Sequence, residues 1–315
     1  MILITGGGGL YGLNIAWYLA NRGKKVLLLQ RSPFQVPSFL APFWEKEVKG
    51  IRGDIVSLPF LMGLARDFEF ESIIHLAAVW EGRGGEVAPY QAIEVNIRGT
   101  VNVLEVARVF RLRRVTFASS NTVYHGMNAP PMGPYHEDLD LPAYSVGYIP
   151  CTKKAAEQIC LLYAGEYKMS VCMVRGGRGY GPTMHWGRMP IERMVFPSLE
   201  GKPADLKNLP ENNTLAPVHV KDLARGYGLL HLAESLKHTV YNISSGNSYT
   251  FSAIAQIVKE IIPGADIRSG PSSARVEPYC PSIQRAREDV GYIPEYADLR
   301  EGIRAWIRYL KEGTY

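Results

Sequence analysis

The sequence has few cysteines and no long apolar run. Its four cysteines, at positions 151, 160, 172 and 280 of 315 residues, include no C-x-x-C pair. No group of histidines and cysteines has the spacing of zinc ligands, so we predict neither a disulfide framework nor a metal site. No apolar run approaches the about 20 residues that a membrane-spanning helix needs. We therefore expect reduced thiols in a cytoplasmic protein without a membrane span.

The sequence also lacks a dense run of charge of one sign. The formal net charge is +5, and the shares of hydrophobic residues (46%) and charged residues (21%) are ordinary for a globular protein. Arginines cluster only at 111, 113 and 114, whereas a nucleic-acid surface normally carries a longer basic stripe. These properties exclude nucleic acid as the expected partner and favour an enzyme with an anionic small-molecule ligand.

What the sequence does contain is an alternation of short apolar runs and helical patterns. Strands are predicted at 2–4, 26–29, 73–76, 115–118, 171–174 and 240–243, with helices over 10–22, 90–110 and 150–167. This order is typical of an α/β protein with a Rossmann-type, doubly wound parallel sheet.

The composition changes after Tyr180, where segments rich in Pro, Gly and Asn begin. We interpret the later part as a smaller, interleaved C-terminal substrate lobe. The predicted dinucleotide-binding domain is 1–180 plus about 217–245, and the predicted substrate lobe is 181–216 plus 246–315.

A glycine-rich turn separates the first predicted strand from the first predicted helix. Gly6, Gly9 and Gly12 follow the strand Ile2-Leu3-Ile4, and Leu10 and Tyr11 stand between the last two glycines. Glycines in this position permit a tight turn and let backbone N–H groups approach a pyrophosphate, which the helix N-terminus then stabilises. The pattern predicts a dinucleotide cofactor.

The end of the second predicted strand indicates which dinucleotide is favoured. An acidic residue there would bind the ribose hydroxyls of NAD, but the sequence has Gln30 and Arg31. Arg31 could form a charge-assisted pair with a 2′-phosphate. NADP is therefore favoured over NAD; the alternative is that Arg31 is a solvated loop charge.

Several further segments resemble one family in order and spacing along nearly the whole chain. They are Thr5 to Gly12, Gly53-Asp54-Ile55, His75-Leu76-Ala77-Ala78, Asn96 to Thr100, Ala118 to Tyr124, Arg175 to Pro182, His219 to Ala224 and Tyr292-Ile293-Pro294. Together they resemble the extended short-chain dehydrogenase/reductase family, of the nucleotide-sugar epimerase/dehydratase type.

The resemblance implies an NAD(P)-dependent oxidoreductase, epimerase or dehydratase that acts by hydride transfer on a sugar-like, anionic substrate. In the family a Tyr hydroxyl is the general acid/base, a Lys four residues later lowers its pKa and holds the ribose, and a Ser or Thr polarises the substrate oxygen. Ser120 and Lys153 match two of these three positions. The residues that the resemblance and the turn assign to the cofactor are Gly6, Gly9, Leu10, Tyr11, Gly12, Gln30, Arg31, Asp54, Ile55, Leu76, Ala77, Ala78, Asn96, Ser119 and Lys153.

The sequence departs from the family at the catalytic Tyr. Four residues before Lys153 stands Ile149, which has no exchangeable proton, and Tyr148 is one residue too early. Pro150 favours the first helical turn, so Tyr148 is expected at or before the helix cap, where it could still face the site. We predict Tyr148 as the acid/base. Tyr144, His75 or water remain substitutes, and a protein without hydride chemistry remains open.

The substrate side is less defined. Arg178 stands where the family often has Asn, and Arg275 lies near a family position for the substrate diphosphate. Either arginine could bind a phosphate or carboxylate. The segment 184–186 could line the same pocket. The resemblance also implies a homodimer formed through the predicted helices 90–110 and 150–167.

The alternative function is a dinucleotide-binding protein that has lost turnover and serves as a sensor or structural partner. Ile149 motivates this alternative.

Overall fold

The computed structural model describes residues 1–79, 88–126, 133–145, 147–183, 189–273 and 280–315. Its centre is a seven-stranded sheet in which every neighbouring pair is parallel. The strands are β1 (Ile2–Thr5), β2 (Val26–Gln30), β3 (Val48–Arg52), β4 (Ser72–His75), β5 (Arg114–Ala118), β6 (Val171–Gly176) and β11 (Val240–Ile243). Their spatial order is β11-β6-β5-β4-β1-β2-β3. The strand order reverses between β1 and β4, and ligands of such sheets bind at the carboxyl ends of the strands at this point.

Helices cover both faces of the sheet, which explains why its inner strands are largely apolar. The helices are α1 (Leu10–Ala20), α2 (Leu58–Phe68), α3 (Pro89–Ile93), α4 (Gly99–Val109), α5 (Tyr148–Glu166), α6 (Pro190–Leu199), α7 (Val220–Leu232), α8 (Phe251–Ile261), α9 (Gln284–Val290) and α10 (Leu299–Glu312). In β1, Ile2 and Ile4 face a core that α1 and α7 cover. Leu3 faces the opposite core, under α2, α4 and α5. This alternation follows from the two-residue period of a strand.

A third hydrophobic core lies among α6, α8 and α10. Three short strand pairs accompany it: β7 (Arg178–Tyr180) with β10 (Pro217–His219), β9 (Thr214–Leu215) with β12 (Tyr249–Thr250), and β8 (Ala204–Pro210) with β13 (Ile267–Gly270). The division into two domains stays a prediction. Within the described residues, no helix is long and apolar enough to cross a membrane.

Two elements differ from the predicted ones. The predicted helix 90–110 is three pieces, because a π-helical turn (Glu94–Arg98) separates α3 from α4. Helix α5 begins at Tyr148 with Gly147 as its N-cap, two residues before the expected start at Pro150. Proline is accepted at the third helical position because the first N–H groups of a helix have no intrahelical acceptor to lose. Tyr148 is therefore the first residue of the helix and does not precede it.

Candidate active site

The glycine turn has the geometry that a pyrophosphate requires. Gly6 has φ +67°, and a Cβ there would lie 2.8 Å from the backbone N of Ala77. A Cβ on Gly12 would lie 2.5 Å from the carbonyl oxygen of Gly7. Gly9 is the N-cap of α1 and has no side chain with which to cap it. The first N–H groups of α1 therefore remain available to an anion, so the turn fits a dinucleotide.

A cavity of about 680 Å³ runs along the carboxyl ends of β1, β2, β4, β5 and β6. Most of the sequence-predicted site residues line it: Gly6, Gly9, Leu10, Tyr11, Gly12, Gln30, Arg31, Asp54, Ile55, Leu76, Ala77, Ala78, Ser119, Ser120, Lys153 and Arg178. Asn96 and Tyr148 are not among the described residues that line it. Arg275 and the segment 184–186 lie outside the described residues. One cavity thus joins the predicted cofactor residues to Ser120 and Lys153.

Asn96 does not line the cavity but bonds to residues next to it. Its Oδ1 accepts from the N–H of Val79 at 2.7 Å, and its Nδ2 donates to the carbonyl of Val79 at 2.8 Å. The same Nδ2 donates to Thr152 Oγ1 at 3.0 Å. Asn96 lies in the π-helical turn, and its hydrogen bonds connect the segment after β4 to helix α5.

The end of the cavity near Gln30, which we call the cofactor-selecting end after its predicted role, holds two opposite charges. Arg31 Nη1 lies 3.9 Å from Asp54 Oδ2, and both side chains are about half exposed. Gln30 folds over the turn, where it donates to the carbonyl of Pro33 at 2.9 Å, and its Oε1 occupies the space a Cβ on Gly8 would need. Since the pair is exposed and long, water screens it and Arg31 can exchange Asp54 for another anion.

Three hydroxyls line the other end of the cavity. Ser120 caps the short 3₁₀ helix Asn121–Tyr124: its Oγ accepts from the N–H of Thr122 at 3.1 Å and lies 2.9 Å from Thr122 Oγ1. Ser119 Oγ instead donates to Glu157 at 2.5 Å. Ser120 and Thr122 thus form a hydroxyl pair that faces the cavity, while Ser119 is bonded to the protein. Thr122 was missed as a site residue, although it belongs to the segment that carries Ser120.

Lys153 lies buried at this end of the cavity. Its Nζ donates to the carbonyl of Ala118 at 2.5 Å and lies 4.6 Å from the centre of the Phe117 ring. Burial lowers the pKa of Lys153 to about 8, while Cys160 and Glu157 oppose the shift. The ammonium is therefore held at the end of β5, beside the serines, without the hydration of a surface lysine.

The structure does not bring Tyr148 to the cavity. Ile149, Pro150 and Lys153 line it, and Tyr148 lies about 100° away from Ile149 around the helix. Tyr148 obeys this helical geometry because Gly147, with φ +92° and ψ 170°, already makes the turn into α5. The two substitute side chains are also elsewhere. Tyr144 is 75% exposed, and buried His75 contacts Thr5 and Thr100. Burial, followed by the Lys153 charge, lowers the pKa of His75 to about 3.

A buried ion pair supports the segment that carries Ser119 and Ser120, called the serine segment below. Glu157 accepts from Arg175 Nε at 3.0 Å and from Arg175 Nη2 at 2.8 Å, and the two side chains are 3% and 6% exposed. Arg175 Nη1 also donates to Tyr124 Oη at 2.9 Å. Tyr124 in turn donates to Asn242 Oδ1 at 3.0 Å, so the chain of bonds reaches β11. Sequence patterns gave no signal for this network because its members are far apart along the chain.

Three glycines line the cavity between the end of β6 and strand β7. Gly176, Gly177 and Gly179 line the cavity with Arg178, whose Nη1 lies 3.2 Å from Met189 Sδ. Tyr11 fills the space beside the glycines: its hydroxyl accepts from the N–H of Gly179 at 3.1 Å. A Cβ on Gly179 would lie 2.4 Å from the Tyr11 ring. Glycine at 179 therefore allows the close approach of Tyr11 to β7.

Known proteins share the fold and the sequence pattern of this chain. The model of the NAD dependent epimerase/dehydratase family matches residues 2–244. A UDP-glucuronate 4-epimerase from Thermodesulfobacterium geofontis (strain OPF15) is 26% identical over 323 residues, which cover 98% of this chain and 96% of that protein.

Two solved structures superpose over 99% of this chain and 99% of theirs. MoeE5 in complex with UDP-glucuronic acid and NAD has a TM-score of 0.83 at 25% identity. The Thermus thermophilus UDP-glucose 4-epimerase in complex with NAD has a TM-score of 0.84 at 23% identity, a likeness of fold. The predicted family resemblance and Rossmann-type fold are confirmed.

Proposed function

This chain belongs to the NAD dependent epimerase/dehydratase family, and we propose that it is an NAD(P)-dependent enzyme that epimerises or dehydrates a nucleotide sugar. The observation that carries the proposal is the single cavity that joins the glycine turn to Ser120 and Lys153. When bound there, a nicotinamide dinucleotide supplies an acceptor and donor of hydride. The chain supplies the anion-binding turn, the hydroxyls that orient the substrate oxygen and a buried ammonium.

We assign the residues of the cavity by its two ends. Gly6, Gly9 and Gly12, with the N–H groups of Leu10 and Tyr11, hold the pyrophosphate. The remaining predicted cofactor residues hold the adenosine and nicotinamide: Gln30, Arg31, Asp54, Ile55, Leu76, Ala77, Ala78, Ser119 and Lys153. Ser120 donates its hydroxyl to the substrate oxygen, with Thr122 fixing the rotamer. Asn96 acts indirectly, through its bonds to Val79 and Thr152.

We propose an anionic nucleotide sugar of the UDP-glucuronate type as the substrate. The relatives named above act on or bind UDP-sugars, and two of them concern glucuronate. Arg178 supports an anion at this end of the cavity because its planar guanidinium binds carboxylate or phosphate through two hydrogen bonds. The role predicted for Arg275 stays a prediction.

The proposed cofactor preference is NADP over NAD. Gln30 brings no negative charge to the ribose position, and Arg31 lines the cavity half exposed. A 2′-phosphate carries more charge than Asp54 and should replace it as the partner of Arg31. Fluorescence titration of the wild type and Arg31→Ala with both cofactors tests this preference. The variant should bind NADP about tenfold more weakly and bind NAD unchanged, and equal losses for both cofactors would contradict the assignment.

We further propose that the chain forms a homodimer through α3, α4 and α5. These helices and the residues that follow them carry large apolar side chains on the surface: Tyr90, Ile93, Val109, Phe110, Leu161, Leu162 and Tyr167, each 38–74% exposed. A patch of this kind is a usual mark of a protein interface. Light scattering should give twice the chain mass for the wild type and the single chain mass for Leu162→Glu. A monomeric wild type would contradict the proposal.

Turnover is tested by incubating the protein with UDP-glucuronate, UDP-glucose or UDP-galactose and either cofactor, and separating the products by ion-exchange chromatography. We expect conversion of at least one nucleotide sugar, fastest for UDP-glucuronate. Arg178→Ala should raise KM for UDP-glucuronate about tenfold or more, from the loss of a charge-assisted contact. Arg268→Ala removes an exposed arginine paired with Asp266 and serves as the matched control. Cofactor binding without conversion of any nucleotide sugar would contradict the proposed function.

A further inference from the structure

The position that should hold the catalytic phenol holds an aliphatic side chain. Ile149 lines the cavity one helical turn before Lys153, on the same face of α5. It can neither give nor take a proton. Hydride transfer from a carbinol carbon requires an acid–base group, because the hydroxyl proton must leave as the carbonyl forms. The other groups that line the cavity are therefore the candidates for this role.

The other titratable groups of the described cavity are unsuited to this task. Arg31 and Asp54 lie at the cofactor-selecting end and face each other. The guanidinium of Arg178 does not lose its proton in proteins. Tyr11 and Tyr227 remain, and burial raises the pKa of both phenols, which opposes their use as bases. The Tyr11 hydroxyl is also held by Gly179.

Among the described residues that line the cavity, Lys153 is the remaining titratable group, and it lies beside Ser119 and Ser120. Its Nζ reaches the carbonyl of Ala118, the residue directly before Ser119 and Ser120. Within the described part of the chain, no carboxylate lies within ion-pair distance of this ammonium, because Arg175 holds Glu157. A lysine with a carboxylate partner would be fixed as a cation. Lys153 has no such partner among the described residues, and it can exchange its proton with a substrate oxygen in the cavity that Ser120 also lines.

We propose that Lys153 is itself the general acid and base of the reaction, in place of the phenol that Ile149 removes. This inference rests on the proposed function. In the oxidising direction the substrate O–H bond breaks and its proton passes to the neutral Nζ. The electron pair of that bond forms the C=O bond, and the electron pair of the C–H bond leaves as hydride to the oxidised nicotinamide. In the reducing direction Nζ returns the proton to the substrate oxygen.

The surroundings of Lys153 suit a proton exchange near neutral pH. On its own helix it faces Glu157 and Cys160, across the sheet it faces His75 on β4, and Phe117 on β5 lies under it. Glu157 is neutralised by Arg175, and His75 is uncharged because its pKa is about 3. Burial dominates, and it lowers the pKa of Lys153 to about 8. A fraction of the neutral amine is therefore present at physiological pH, and this fraction rises with pH.

The experiment measures hydride transfer and protonation separately. Transient reduction of the bound cofactor by UDP-glucuronate is followed by stopped-flow absorbance, and product formation by chromatography, for the wild type, Lys153→Ala and Lys154→Ala. Lys154 donates to the carbonyls of Pro142 and Tyr144 and is the matched control. Lys153→Ala should lose about 10²–10⁴-fold in rate, and small primary amines should restore part of it, more for more basic amines. Lys154→Ala should keep the wild-type rate.

The second readout uses the protein without cofactor. Nitrogen NMR of isotope-labelled lysine side chains should show a resonance that titrates near pH 8 and is missing in Lys153→Ala. A resonance that titrates above about pH 10, as an unperturbed lysine does, would overturn the inference. Two other results would also overturn it. One is a Lys153→Ala protein that binds cofactor but whose rate no amine restores. The other is loss of turnover in Tyr148→Phe. Failure of the wild type to convert any nucleotide sugar would instead contradict the proposed function, and this inference with it.

Discussion

The buried pair Glu157–Arg175 should be a large single contribution to the stability of the site. Glu157 accepts three hydrogen bonds, two from Arg175 and one from Ser119, and both charged side chains are at most 6% exposed. Glu157→Gln keeps the shape but leaves the buried guanidinium without a counter-charge. Breaking a buried pair from one side costs about 3–5 kcal/mol. Because a glutamine oxygen in place of Oε1 still accepts from Ser119 and from Arg175 Nε, we expect the lower end, about 3 kcal/mol.

The free energy of unfolding from urea titration at neutral pH measures this cost. Glu301→Gln removes one partner of a pair that is 51–60% exposed and serves as control, with little measurable change expected. The double variant Glu157→Leu/Arg175→Met should lose less than the sum of the single variants, because no unpaired charge stays buried. A cost below about 1 kcal/mol for Glu157→Gln, or an additive double variant, would refute the reasoning.

Two further predictions concern the turn and the pH dependence of folding. Gly12→Ala should abolish measurable cofactor binding in a fluorescence titration, because its Cβ would lie 2.5 Å from the Gly7 carbonyl, whereas Gly63→Ala meets nothing within 4 Å and should stabilise α2 by about 0.5–1 kcal/mol. A Gly12→Ala protein that still binds would contradict the assigned turn. Burial raises the pKa of Asp222 from 3.8 to about 6, although its carboxylate accepts from two backbone N–H groups. Since the folded state binds this proton more tightly than the unfolded state, the stability it contributes is present below about pH 4 and is lost as pH rises to about 6. The unfolding free energy of the wild type, compared with Asp222→Asn, should fall across this window, and a flat difference would contradict the raised pKa.

Strong local patterns predicted most of the central fold. The turn from Gly6 to Gly12, the strand Val240–Ile243 and the helix after the turn were visible because glycines or periodic apolar residues mark them. Strand β3 was missed because it is an edge strand whose apolar residues are interrupted by Lys49 and Gly50. Edge strands bury less side-chain surface, so their sequences carry a weaker pattern.

Contacts between distant segments were beyond sequence reasoning. The approach of Arg31 to Asp54 follows from the register of β2 on β3, in which Gln30 pairs with Arg52. The placement of Tyr148 depended on one backbone angle, the positive φ of Gly147, which lets α5 begin earlier than Pro150 suggested. Neither the sheet register nor this angle has a signature that one sequence reveals.

The hydrogen bond from Tyr124 to Asn242 forms late during synthesis of the chain. The two residues are 118 positions apart, and the N–H of Asn242 also donates to Glu137, 105 positions earlier. During synthesis the glycine turn and Lys153 are complete long before Asn242 leaves the ribosome. Contacts of such sequence separation form late because a long loop must close first. The nascent chain can therefore assemble its cofactor turn early, but the serine segment acquires its full support only when β11 joins the edge of the sheet.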